Sequence, residues 1–291
     1  MNKKLRGYLS IITAAFFWGT SATAAKSLFE RSVSPLLLVE SRVVLAAIFL
    51  VILFLTSRPS LLKIKIADMG DFALLGIIGV AGSNYTYYMA IQKTTVGFAI
   101  LMQYTAPAVV AVYMVLSRRE SISRTKVLAL LSSLAGCMIM VGAFDPAIHL
   151  TAPGIALGVL SAFCFAFFNI YTKVASKHYS IWTSLSYTFI TGSVFWIALD
   201  AILHIEISAS SPMEMGALVL FSLSSALIPY FFYFTGLKYL APSTAIIVST
   251  IEPVVAIFSA FIILGETLYP EQIAGGVLII FAVILLEARR E

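Results

Sequence analysis

Charge is scarce in this chain. Asp, Glu, Lys and Arg make up 11% of its 291 residues, against 60% hydrophobic residues and a mean hydropathy of +0.98. That leaves too little polar surface to cover a water-soluble globule. Cysteine is almost missing: only Cys137 and Cys164 occur, both inside apolar runs and without metal-ligand spacing, so both read as small packing residues. Histidine is equally sparse, and His149, His178 and His204 have neither zinc-ligand spacing nor a nucleophilic partner. No glycine-rich loop ending in Lys-Ser or Lys-Thr is present, which excludes nucleotide hydrolysis by this chain as an energy source. The expectation is a non-enzyme with no catalytic residues, no metal and no cofactor.

What the chain does contain is a succession of apolar runs, at about 8–28, 35–56, 72–91, 96–116, 126–143, 153–175, 182–202, 215–237, 241–264 and 271–287. Most approach the roughly 20 residues that cross about 30 Å of hydrocarbon at 1.5 Å rise per residue. The fifth and tenth are the shortest. The net charge of +5 is assigned to membrane orientation and not to nucleic acid. With the amino terminus inside, one side collects Lys3, Lys4, Arg6, Arg58, Lys63, Lys65, Arg118, Arg119, Arg124, Lys126, Lys173, Lys177, Lys238, Arg289 and Arg290. The other side has Lys26, Arg31 and Lys93, a ratio of 15 to 3, and Arg42 lies inside a run. A miscounted helix would scramble this alternation from that point onward, so ten helices with both termini cytoplasmic are expected in a cell membrane. The first run is read as an uncleaved helix, since it is longer than a typical signal core.

The chain also resembles itself. Residues 105–120 align with 251–266 at an offset of 146, bringing Pro107 onto Pro253 and Glu120 onto Glu266. Residues 7–26 align with 154–173 at an offset of 147, matching Gly7 with Gly154, Ala15 with Ala162, Phe16 with Phe163 and Lys26 with Lys173. Five runs per copy is an odd number, which forces the second copy to cross the membrane in the opposite sense. The expected fold is therefore an all-α integral membrane protein, with ten transmembrane helices as two inverted five-helix repeats, 1–147 and 148–291, around a central cavity.

The stretch Glu252-Pro253-Val254-Val255-Ala256, then Leu264-Gly265-Glu266, then residues 272–279, resembles the end of an EamA-type repeat of the drug/metabolite transporter superfamily. The first half echoes it in Pro107 and Glu120, in Phe16-Phe17-Trp18-Gly19, and in Pro35 followed by Arg42. It departs where Arg119 stands opposite Gly265 and Ala106 opposite Glu252, so the two halves are not expected to do equal work. The resemblance covers nearly the whole chain. It implies a ten-helix bundle whose central cavity opens alternately to either side, moving small metabolites and often exporting them.

Residue chemistry leads to a compatible expectation. Pro107 and Pro253 fall near the middle of the fourth and ninth runs, where proline removes a backbone donor and kinks or opens a helix. Glu252 lies near the midpoint of the ninth run, while Glu40 and Arg42 lie roughly 8–11 Å into the second. Intramembrane charge costs about 2.5–3.5 kcal/mol even on lenient insertion scales, which marks such residues as functional candidates. Two residues apart on a helix means about 200° of rotation, so Glu40 and Arg42 need separate partners. Arg42 is expected to face Glu252 or an anionic solute, and Glu40 to reach toward the outer surface. An ion pair that only ties two helices together is the alternative to a solute or proton role for Arg42 and for Glu252.

Aromatic and amide side chains supply the remaining candidates: Phe17, Trp18, Asn84, Tyr85, Tyr88, Gln103, Tyr104, Phe165, Asn169, Tyr171, Tyr230 and Tyr233. Such a set suits an amphipathic solute, although an aromatic belt at the lipid interface accounts for some of it. Gly76, Gly79 and Gly82, and the pair Gly154 and Gly158, suit close helix packing. The reading is a secondary-active or facilitative transporter of small metabolites, an exporter of amino acids or related amphipathic compounds, working by alternating access. Its partners are a small-molecule solute and the lipid bilayer, with a proton as candidate coupling ion. A lipid-linked precursor flippase, a membrane sensor and a channel stay open, as do monomer and homodimer.

Overall fold

The computed structural model describes residues 2–29, 34–94, 96–142, 151–203 and 212–288. Arg31, His149, His204, Arg289 and Arg290 lie outside the described residues, as does the side chain of Lys26. Every regular element among the described residues is helical. Helix α1 (Lys3–Phe29) and α2 (Pro35–Ser57) are each continuous. The third apolar run is one rod made of α3 (Met69–Leu74), a wider π-helical stretch (Leu75–Gly82) and α4 (Ser83–Lys93). The fourth is divided into α5 (Val96–Gln103) and α6 (Ala106–Leu116), and α7 (Arg124–Val141) follows. The second half repeats this order. After α8 (Ala152–Ala175) and α9 (Ile181–Leu203) comes a rod of α10 (Pro212–Ser222), a second π-helical stretch (Leu223–Leu227) and α11 (Ile228–Tyr239). The ninth run is divided into α12 (Pro242–Ser249) and α13 (Ile251–Leu264), and α14 (Pro270–Ala288) ends the series.

Nine helical stretches among the described residues are long and apolar enough to cross a membrane. The protein is therefore multi-pass. Helix α1 is long enough, at 27 residues, but is not one of the nine, since Ser10, Thr13, Thr20, Ser21 and Thr23 dilute its apolar character. Leu116, Ile202, Leu220, Ile262 and Ile263 are exposed on the periphery, where lipid is their natural solvent, while Trp196, Phe72, Phe168 and Phe189 are fully buried. Many buried hydroxyls bond carbonyls of their own helix: Thr172 donates to the Phe168 carbonyl at 2.6 Å and Ser193 to that of Phe189 at 2.7 Å.

Helix ends follow local chemistry. The Ser123 hydroxyl accepts the Lys126 N–H at 3.3 Å to start α7, and Thr151 accepts that of Gly154 at 3.2 Å to start α8. Helix α13 stops at Gly265, whose φ of 68° is a left-handed turn that favours glycine. The corresponding turn after α6 is made by Arg118, with φ 53°, one residue before the Arg119 that the sequence alignment sets opposite Gly265. An L side chain in that conformation costs about 1–2 kcal/mol. The helices α7 and α14 pack against each other where Gly136 meets Gly275, and a Cβ on Gly136 would stand 2.6 Å from the Gly275 carbonyl oxygen.

Candidate functional site

Both proline-containing runs break on the side preceding the proline. Pro107 has no N–H to offer the Gln103 carbonyl, and Pro253 none to offer that of Ser249, so each helix ends and a new one starts. Hydroxyls take over some of the released hydrogen bonding. Thr105 donates to the Met102 carbonyl at 2.7 Å, and Thr250 to that of Ile247 at 2.6 Å. The second break sets Glu252 in the first turn of α13, where the aligned N–H groups of a half-helix favour a negative charge inside the bundle. In the first half, Ala106 occupies the corresponding place in α6.

A cavity of about 120 Å³ lies against these breaks. Trp18 and Ser21 come from α1, Arg42 from α2, Asn84, Tyr87 and Tyr88 from α4, Gln103 from the end of α5, Tyr104 from the break after it, Tyr230 from α11 and Glu252 from α13. The volume is well below the ~300–1,000 Å³ of pockets for drug-sized ligands, which limits an occupant to a small molecule. Arg42 and Glu252 line the same cavity and attract each other, yet their charged groups are not within ion-pairing distance. Each has other partners. The Arg42 guanidinium donates to the Ser225 carbonyl at 2.7 Å, in the second π-helical stretch, and lies 6.0 Å from the Phe221 ring centroid. The Tyr104 hydroxyl lies in the same cavity as the Glu252 carboxylate and interacts with it. Gln103 donates to Ser83 at 3.3 Å, and the Asn84 amide reaches the Tyr230 hydroxyl at 3.5 Å across a sequence separation of 146.

Beneath the cavity is an aromatic floor. Trp18 meets Tyr230 and Tyr233 at centroid distances of 5.3 and 5.1 Å, and Phe168 meets the same two at 5.5 and 5.6 Å. Asn169 and Tyr233 belong to this floor and not to the cavity wall. Both are fully buried and joined by a hydrogen bond from the Tyr233 hydroxyl to the Asn169 side-chain oxygen. Glu40 lies apart on α2, under the influence of Asp200 on α9. Pro253 lines the cavity, while Pro107 is buried among the helices beside it. A larger cavity of about 430 Å³ opens at the ends of α1, α7, α12 and α14, lined by Lys3, Lys4, Lys126 and hydroxyl residues. It contains no acidic side chain and no helix break, so the smaller cavity is the better candidate despite its size.

The EamA-like transporter family model matches residues 5–142 and again residues 152–287. The chain belongs to the EamA-like transporter family. Among its relatives, the uncharacterized inner membrane transporter YicL of Salmonella typhimurium is 23% identical over 100% of this chain and 98% of its own. An uncharacterized transporter of Archaeoglobus fulgidus is 30% identical over 72% of this chain and 75% of its own. The threonine/homoserine exporter RhtA of Escherichia coli is 26% identical over 87% of this chain and 81% of its own. A solved crystal structure shares the fold at a TM-score of 0.77, covering 98% of this chain and 96% of its own at 18% identity. This EamA-like protein is accordingly a multi-pass membrane transporter of a small-molecule solute.

In this transporter several cavity residues escape the sequence reading, Ser21, Ser83, Tyr87 and Phe221 among them. Tyr87 lies one helical turn from Asn84 and faces the cavity with it, whereas Tyr85, a sequence candidate, packs on Phe195 and Trp196 at 6.5 and 6.1 Å. The 84, 87, 88 spacing is the available signal. Phe221 is reached only through its contact with Arg42. Ser83 is visible only through Gln103. Tyr171, another candidate, stacks on Phe167 and donates to Asp71 at 2.6 Å, and Phe17 packs edge-on to Phe16 at 6.0 Å, both away from the cavity. Gly19 matters for a different reason. A Cβ there would stand 2.7 Å from the Glu252 carbonyl oxygen and 2.9 Å from the Ala256 nitrogen, so only glycine lets α1 lie directly on the backbone that carries Glu252.

Proposed function

We propose that this EamA-like transporter is a carrier that moves a small zwitterionic solute, an amino acid or a close relative, by alternating access. The observation that carries this reading is the cavity with a cation on one wall and a carboxylate on another that do not satisfy each other. A solute with both an ammonium and a carboxylate complements both, and Trp18, Tyr87 and Tyr104 supply faces for its apolar part. The name of the relative RhtA, an exporter of threonine and homoserine, fits that chemistry.

The architecture in this proposal is ten spans, with α1 as the first, arranged as inverted repeats 1–147 and 148–291. Support comes from the two family matches, from π-helical stretches in the third and eighth runs and breaks in the fourth and ninth, and from the Asn84–Tyr230 contact at the repeat offset of 146. A contact between equivalent residues is what a pseudo-twofold axis through the cavity produces. The bias of Lys and Arg favours cytoplasmic termini, export suits the direction of the named relative, and Glu252 is the candidate to carry a coupling proton.

The test is transport of labelled amino acids by the reconstituted protein across a pH gradient, with Glu252→Gln alongside. The expected result is at least a tenfold loss of solute transport in the variant and loss of any dependence on the gradient. Unchanged affinity, rate and pH dependence would remove Glu252 from both roles.

A further inference from the structure

A second polar cluster lies at the other end of the helices that carry the breaks. Glu120, in the turn between α6 and α7, accepts from Lys126 in the first turn of α7 at 3.0 Å, with side chains only 12% and 17% exposed. The same carboxylate oxygen accepts from the hydroxyl of Ser243 in the first turn of α12, and Lys126 also donates to Ser243 at 3.3 Å. The other oxygen of Glu120 is buried without a hydrogen-bond partner. This three-residue knot joins the two halves of the sequence. It grips the start of α12, whose other end is the break that leads to Glu252.

The equivalent positions at the repeat offset of 146 are Glu266, Gln272 and Gly97. The acid is kept, but the cation and the hydroxyl are gone, and Gln272 accepts the Tyr269 N–H at 3.1 Å at the start of α14. The matching positions of the second half therefore do not repeat this set of acid, cation and hydroxyl. Resting on the alternating-access reading above, we propose that Glu120, Lys126 and Ser243 are gating residues that latch the cytoplasmic end shut. Opening inward requires Ser243 to leave Glu120, freeing α12 to move with the second half. Glu120 and Lys126 stay within one half and need not part. The latch biases the carrier toward its inward-closed form.

Ser249 reports on this directly, being 1% exposed at the end of α12 between the latch and the cavity. In full-length protein carrying Cys137→Ala and Cys164→Ala, Ser249→Cys would be labelled with a membrane-impermeant maleimide from the cytoplasmic face of membrane vesicles. Glu120→Gln and Ser243→Ala are each expected to raise the labelling rate at least fivefold, and Glu266→Gln to leave it at the parental rate. Ser243→Ala keeps the ion pair and so probes the latch even where Glu120→Gln folds poorly, since removing one partner of a buried pair is severe. Labelling at the parental rate in Ser243→Ala, or an equal rise in Glu266→Gln, would overturn the latch. Amino-acid counterflow measured in the same vesicles separates the two proposals: counterflow with unchanged labelling rejects the latch alone, whereas faster labelling without amino-acid counterflow supports the latch and rejects amino acids as the solute.

Discussion

Glu252 is tolerated inside an apolar bundle because three local conditions coincide: the first turn of α13, the Tyr104 hydroxyl, and the attraction of Arg42. Its depth is legible from sequence, since a lone carboxylate in the middle of an apolar run is expensive and rare. Its surroundings are only partly so. Trp18, Arg42, Asn84, Tyr88, Gln103, Tyr104 and Tyr230 can be proposed from residue type alone, but type does not give azimuth, which separates Tyr87 from Tyr85 and sinks Asn169 and Tyr233 into the floor. Close approach is harder still to read, because Gly19 has no side chain to attract notice. Gly19→Ala is expected to force α1 and α13 apart. Overpacking of this kind costs about 1–3 kcal/mol, so thermal unfolding in detergent should show lower stability, and transport should fall at least tenfold.

At the scale of the helix, the divided fourth and ninth runs are the elements that matter. Hydropathy reads each as one continuous span, and only the prolines hint at an interruption. A proline alone is compatible with a kink, however, and the full break also draws on Thr105 and Thr250, whose hydroxyls bond carbonyls in the preceding turn. The π-helical stretches left no trace that periodicity could detect, because a single wide turn shifts the apolar face without ending it. Restoring a donor at the second break tests its purpose. Pro253→Ala returns an N–H to the Ser249 carbonyl and favours a continuous α12–α13, which turns Glu252 away from the cavity. Stability should hold or rise while transport falls at least tenfold, and Pro107→Ala should have the smaller effect because Ala106 carries no charge to misplace.

For the whole molecule, sequence periodicity of a coarser kind was enough for much of the architecture. Run boundaries drawn from hydropathy agree with the helices to within a few residues, because lipid thickness imposes a length that the chain must meet. The least apolar member is α1, and its hydroxyls explain both its failure as a hydropathy span and its place against the cavity, where Thr23 donates to the Ala256 carbonyl at 3.1 Å. The proposed repeat would account for the paired breaks and paired π-helical stretches, and in the proposals above its departures, Glu252 against Ala106 and Lys126 against Gln272, put solute chemistry and inner closure in different places. The central claim is that a small zwitterion is bound in the cavity and carried by alternating access. Counterflow in proteoliposomes tests it most directly: vesicles preloaded with unlabelled amino acid should accumulate the labelled form transiently and saturably, and Arg42→Ala should abolish this accumulation. Flux that neither saturates nor responds to preloading, or counterflow at the parental rate in Arg42→Ala, would contradict the account.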